Sequence, residues 1–194
     1  MSKKPHMFFN LPTLLTWARI VAIPLIAGLF YLDMPAEVRN QAASGLFVLV
    51  AFTDWADGYL ARKLNQTSAF GAFLDPVADK LLVCASLLVL AHLQRVNVLV
   101  ALVILGREIT ISALREWMAQ IGASASVAVH MLGKLKTAAQ MVAITLLLHD
   151  GVLLGSINAH WWGTVLIYVA AVLTIWSMVY YLRKALPEIR AKAR

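Results

Sequence analysis

Asp54, Asp57, Asp75 and Asp79 carry the chemistry that this chain advertises. The first pair repeats at three residues and the second at four, the spacings that stack side chains on one face of a helix, so two helices each aim two carboxylates. Four ionised carboxylates in one small volume repel strongly at low dielectric, and the cluster makes physical sense if divalent cations sit between them. Oxygen-only ligands favour magnesium, manganese or calcium. Gly58, Ala61 and Gly71, interleaved with the aspartates, leave room for a ligand beside the helix backbones or let helices pack tightly. Arg62 follows at the end of the first pair, placed either to neutralise an anionic ligand or to satisfy a bias of basic residues toward one side of a membrane.

The elements that must hold this cluster are apolar helices. The chain has 194 residues, 61% of them hydrophobic, and a mean hydropathy of +0.75. Six apolar stretches, at about residues 13–32, 41–60, 70–93, 97–117, 128–148 and 161–182, each approach the roughly 20 residues that cross a bilayer. The expected fold is all-α: a polytopic membrane protein with six transmembrane helices, forming a single integral-membrane domain over residues 1–194. The first stretch is too long for a signal-peptide core and no small-residue cleavage site follows it, so it is expected to stay in the mature protein. Before it, two lysines and the apolar Met7, Phe8 and Phe9 suggest a short segment lying in the headgroup plane. Asn10 and Thr13 flank Pro12, a helix-start pattern.

The connections set the orientation, because cytoplasmic loops hold an excess of Lys and Arg. Lys3, Lys4, Arg62, Lys63, Arg115, Lys134, Lys136 and the C-terminal bases fall on one side, and Arg39 and Arg95 on the other. Both termini and the aspartates are therefore expected on the cytoplasmic side. Trp161 and Trp162, separated from Tyr180 and Tyr181 by about 30 Å of helix, suit an aromatic belt at each interface.

Other readings of the composition fail. The formal charge of +7 does not point to nucleic acid, because the residues between the basic ends are apolar and offer no face broad enough to track a phosphate backbone. One cysteine, Cys84, excludes a disulfide framework within the chain. The histidines lie at helix ends without metal-ligand spacing.

A second constellation is basic. Arg107, Arg115, Lys134 and Lys136 lie on the fourth and fifth helices, and Arg107 sits deep in its apolar run, where burial without an anionic partner is costly. A phosphate-bearing substrate would supply that partner. The alternative is internal pairing, with Glu108 reaching Arg115 two turns along one face. Lys134 and Lys136 differ by about 200° around a regular helix, so one points inward and the other outward. Lys134 is the lysine expected inside.

Together, Asp54, Asp57, Gly58, Ala61, Arg62, Gly71, Asp75 and Asp79 match the full signature of the CDP-alcohol phosphotransferase family. The resemblance extends over NLPTLLT, FGAFLDPVADK, GREITISALREWMA and GKLKTAAQMVA, nearly the whole chain. It implies a six-helix membrane enzyme, commonly a homodimer, in which a hydroxyl displaces CMP from a CDP-linked lipid at the cytoplasmic face of the bacterial inner membrane. By the same resemblance the four aspartates hold magnesium (or manganese), two ions per site. Asp79 is the candidate general base, and Asn10, Pro12, Thr13, Gly58, Ala61, Arg62 and Gly71 hold the CDP-lipid. The resemblance selects CDP-diacylglycerol as donor and glycerol 3-phosphate as acceptor, with Arg107, Arg115, Lys134 and Lys136 around the acceptor phosphate.

Two further classes compete. A membrane prenyltransferase also offers paired aspartates to a magnesium-bound diphosphate, but in longer chains with the two motifs far apart. A cation transporter would show repeated halves and broken helices near the midplane, and neither is visible. The charge asymmetry makes a direct prediction: in a Cys84→Ser background, a cysteine introduced as Gln66→Cys reacts with a membrane-impermeant maleimide only from the cytoplasmic side. Labelling from outside intact cells would overturn the orientation.

Overall fold

The computed structural model describes residues 11–64, 69–120, 122, 131–153 and 155–192. Six α-helices account for nearly all of them: α1 (Leu11–Leu29), α2 (Ala36–Leu64), α3 (Ala69–His92), α4 (Val98–Gln120), α5 (Met131–His149) and α6 (Ala159–Lys192). The six apolar stretches thus each become a helix. The ends extend further than hydropathy marks, because polar first and last turns are still helical. α2 begins with a turn carrying Glu37, whose charge suits a helix N-terminus, and α6 continues through its basic C-terminal residues.

One stretch in α6, the 29 residues Ala159–Pro187, is long and apolar enough by itself to cross a membrane, and Leu14–Leu29 and Leu135–His149 are shorter apolar helices. In α3 and α4 the apolar run is broken by Asp75, Asp79, Lys80, Arg107, Glu108 and Arg115.

Side-chain caps fix two helix starts. Asn97 Oδ1 accepts from the Leu99 amide at 2.8 Å ahead of α4, and Asn158 Oδ1 accepts from the Trp161 amide at 2.9 Å ahead of α6, each satisfying an amide that lacks an intrahelical partner. Hydropathy gave no sign of the two-stranded antiparallel hairpin between α5 and α6. There β1 (Val152–Leu153) pairs with β2 (Ile157–Asn158), Val152 opposite Asn158, and Gly155 takes the left-handed φ of +74° in the turn.

α6 packs against α5 and α4, α1 against α2 and α3, and α2 against α5, with α3 touching α4 and α5. Gly163 permits the α5–α6 approach: a Cβ there would stand 2.7 Å from Leu147 Cγ. The main core gathers Ile26, Phe47, Leu87, Ile104, Ile144 and Leu147 from five helices. A smaller one, Ile111, Leu114, Met118, Tyr181 and Ala185, joins α4 to α6. Outside these cores large apolar side chains face outward on every helix, Leu25, Val48, Phe73, Leu102, Val142 and Trp176 among them.

Arg95, in the connection between α3 and α4, ties the other end of the bundle together. Its Nη1 donates to the Leu147 and Leu148 carbonyls, each at 3.1 Å, and its Nη2 to Asn40 Oδ1 at 3.0 Å. Nε meets Asp150 at 2.8 Å. A cation on the last carbonyls of α5 satisfies orphan acceptors and opposes the negative end of the helix dipole. Burial lowers the Arg95 pKa from its ordinary value, and the Asp150 carboxylate opposes that shift. Asp150 also meets His160 Nδ1 at 2.6 Å.

Candidate active site

The local sequence explains where the aspartates stand. Asp54 and Asp57 lie three residues apart late in α2, and Asp75 and Asp79 lie four apart early in α3, with only 65–68 between the two helices. The short link brings the aspartate-bearing ends of both helices to the same end of the bundle. Gly58, Ala61 and Arg62 follow in the last turns of α2, and Gly71 is buried in the first turn of α3. The side chains of Pro12, Thr13, Asp54, Asp57, Ala61, Arg62 and Lys134, and the whole of Asn10, lie outside the described residues. Among the described residues no three His, Cys, Asp or Glu groups gather at metal-ligand spacing; two of the four aspartate side chains are not in that set.

Two residues of α1 hold the α3 carboxylates. Thr16 Oγ1 donates to Asp75 Oδ1 at 2.5 Å, and Arg19 Nη1 donates to Asp79 Oδ1 at 2.6 Å. Arg19 is only 1% exposed, whereas Asp79 is about half exposed. A buried guanidinium on a carboxylate stabilises the ionised form and fixes its direction. Neither Thr16 nor Arg19 was singled out from sequence. The signal was there for Arg19, an arginine inside an otherwise apolar helix, which is expensive without a partner.

The basic constellation assembles from three helices. Arg107 on α4 donates from Nη2 to Ser177 Oγ on α6 at 2.9 Å and meets Glu108 at 3.3 Å. Arg107 and Arg115 both lie over the Tyr181 ring, at 5.9 Å and 5.3 Å from its centroid, within the range in which a cation feels the ring quadrupole. Lys136 on α5 is 1% exposed and forms a salt bridge with Glu108. The Nε atoms of Arg107 and Arg115 are buried without a hydrogen-bond partner.

Lys136 is buried and turned toward α4, while the side chain of Lys134, the lysine expected inside, lies outside the described residues. Two readings change. Glu108 meets Lys136 and Arg107 rather than Arg115, since a neighbouring helix offers a closer cation than two turns of the same helix. Tyr181 is buried in the α4–α6 core and carries two arginines, so it is not an interfacial anchor, although the exposed Trp161 and Trp162 remain free to act as one.

A cleft of about 220 Å³ joins the two constellations, lined by Pro76, Asp79, Lys80 and Val83 of α3, Glu108 of α4, and Thr137 and Gln140 of α5. A metal-type carboxylate and the anchor of a buried basic cluster thus share one opening, which suits a ligand with a reacting group at one end and an anion at the other.

The family model for CDP-alcohol phosphatidyltransferase matches residues 9–184. The chain belongs to this family. Similar members include the proteins named CDP-diacylglycerol–glycerol-3-phosphate 3-phosphatidyltransferase from Escherichia coli (strain K12), Shigella boydii (serotype 4, strain Sb227) and Shigella sonnei (strain Ss046). Each is 50% identical over 185 residues, covering 94% of this chain and 98% of the relative. This CDP-alcohol phosphatidyltransferase is therefore similar to them over nearly its whole sequence.

Glu108 is the only carboxylate seen against Lys136 and Arg107 among the described ion pairs. Removing one member of a buried pair costs about 3–5 kcal/mol, which for a chain of this size lowers the melting temperature by on the order of 10 °C. Glu108→Gln in detergent should show that loss, and adding Lys136→Met should recover part of it. Unchanged melting of Glu108→Gln would mean that the pairing is not structural.

Proposed function

We propose that this chain transfers the phosphatidyl group of CDP-diacylglycerol to glycerol 3-phosphate, releasing CMP and forming phosphatidylglycerophosphate. The observation that carries the reading is the 50% identity, over nearly all of both chains, to relatives named for that activity. The cleft supports it, because Asp79 lines it on one side and Glu108, the partner of the buried Lys136 and Arg107, on the other, with Lys80 also in its wall.

The whole chain, residues 1–194, acts as one integral-membrane domain. Its six helices cross the bacterial inner membrane, with an interfacial segment before α1, both termini and the active site on the cytoplasmic side, and two copies forming a homodimer. The outward apolar side chains on every helix supply a surface for lipid, and the tightly paired charges within the helices are what low dielectric demands.

The donor set fits hard divalent cations: all four groups are carboxylates, and Thr16 and Arg19 orient two of them as partners behind metal ligands do. Asp54, Asp57, Asp75 and Asp79 would hold two magnesium ions, or manganese. When bound, such ions neutralise the diphosphate and stabilise the leaving phosphate. Asn10, Pro12, Thr13, Gly58, Ala61, Arg62 and Gly71 hold the CDP-lipid, the small residues by letting the nucleotide approach the helix backbones. Arg107, Arg115, Lys134 and Lys136 draw in the acceptor phosphate, whose negative charge competes with Glu108 for their donors. The primary hydroxyl of glycerol 3-phosphate then faces Asp79, which takes its proton as the oxygen attacks the lipid-linked phosphorus. A new P–O bond forms to the acceptor, the bond to the cytidylyl phosphate breaks, and CMP leaves.

Purified protein given CDP-diacylglycerol, magnesium and glycerol 3-phosphate should release CMP, and should not do so with serine, an inositol phosphate or phosphatidylglycerol. Arg107→Gln and Lys136→Gln should each lower kcat/KM for glycerol 3-phosphate by roughly tenfold to a hundredfold, the value of a charge-assisted hydrogen bond, mainly through KM. The apparent affinity for CDP-diacylglycerol should stay near wild type. Arg107→Lys should lie between, because an ammonium keeps the charge and loses the bidentate fork. Wild-type KM in both folded Gln variants would remove these bases from the acceptor site.

A further inference from the structure

We infer that Gln140 forms the hydroxyl-recognition subsite of the acceptor cleft, hydrogen-bonding the secondary hydroxyl of a glycerol phosphate. The inference rests on the reading of glycerol 3-phosphate as acceptor and adds a specificity-determining residue to it.

Gln140 is 2% exposed, lines the cleft with Asp79 and Glu108, and its Oε1 has no hydrogen-bond partner. A buried amide oxygen left unpaired costs about 1–3 kcal/mol, so its retention calls for an explanation. Other buried hydroxyls, those of Ser86, Thr164 and Thr174, also lack partners, but none of them lines this cleft. The terminal torsion of a glutamine is broad, and a modest turn about it presents the amide to a ligand.

Position selects which ligand group the amide meets. Gln140 stands one helical turn beyond Lys136 on the same face of α5, and Lys136 belongs to the basic cluster through Glu108. Asp79 lines the same cleft from α3. A three-carbon acceptor with its phosphate at the basic cluster and its primary hydroxyl at Asp79 has one polar group left between them, the hydroxyl on its central carbon. The carboxylates of Asp79 and Glu108 only accept hydrogen bonds and Lys80 only donates. Thr137 carries a hydroxyl but is exposed and already has a partner, whereas the buried primary amide of Gln140 both donates and accepts and so matches a hydroxyl in either sense. A site built to hydrogen-bond a hydroxyl rejects the analogue lacking it, because its own polar group is then left unpaired.

The test compares glycerol 3-phosphate with 3-hydroxypropyl phosphate, which keeps the phosphate, the chain and the primary hydroxyl but lacks the central hydroxyl. Each is assayed for CMP release with CDP-diacylglycerol in detergent, for wild type and for Gln140→Met, a change of similar volume. Wild type should prefer glycerol 3-phosphate by roughly tenfold to a hundredfold in kcat/KM. In Gln140→Met the preference should fall to about twofold or less, through loss on glycerol 3-phosphate alone, with the analogue turned over as by wild type and the melting temperature not lowered. Equal use of both acceptors by wild type overturns the inference without any variant. So does a folded Gln140→Met that keeps the wild-type preference. A Gln140→Met that fails to fold overturns it too, since the amide would then have a structural partner. If wild type releases CMP with neither acceptor, the acceptor assignment itself has failed.

Discussion

A charge inside a bundle of apolar helices must find its opposite or go back to water, and this constraint shapes the molecule. Isolating one ion in a low-dielectric interior costs several kcal/mol even after relaxation, so the charges come in sets: Arg19 with Asp79, Glu108 with Lys136 and Arg107, Arg95 with Asp150. Each set joins segments that are distant in sequence. The pairing therefore fixes which faces meet, while the apolar contacts that surround it, which are indifferent to exact register, supply most of the cohesion.

The sets differ in what they leave over. Around Arg95 the accounts are closed: four groups from α2, α5 and the connection to α6 take its donors, and that end of the bundle is a clamp. At the aspartate end they are open. Among the described ion pairs, Glu108 is the carboxylate that Lys136 and Arg107 meet, Arg115 lies beside them over Tyr181, and the Nε atoms of Arg107 and Arg115 are buried without a hydrogen-bond partner. Excess positive charge at low dielectric is a standing attraction for an anion. On the proposed function, the same pairs that stabilise the fold also mark where a phosphate would be drawn.

Sequence made the helices and the aspartate spacing legible, because both are periodic and local: three or four residues per turn can be read without knowing any neighbour. What it did not show was every feature set by a neighbour. Lys136 is buried where α4 presents Glu108 to its face of α5. Tyr181, with the composition of an interfacial anchor, is buried because two arginines of α4 stack on its ring. Thr16 and Arg19 escaped notice since the carboxylates that explain them lie some sixty residues away. The hairpin before α6 is too short to leave a hydropathy pattern. The cleft between Asp79 and Glu108, made by three helices, has no signature along the chain at all.

The central claim is that four clustered carboxylates work only with divalent cations between them. CMP release from CDP-diacylglycerol and glycerol 3-phosphate, measured for wild type and Asp57→Asn first in chelator and then with magnesium restored, tests it most directly. The account predicts no release by wild type in chelator, full recovery with magnesium, and no release by Asp57→Asn in either condition. Sustained turnover by wild type in chelator, or by a folded Asp57→Asn with magnesium, would contradict it.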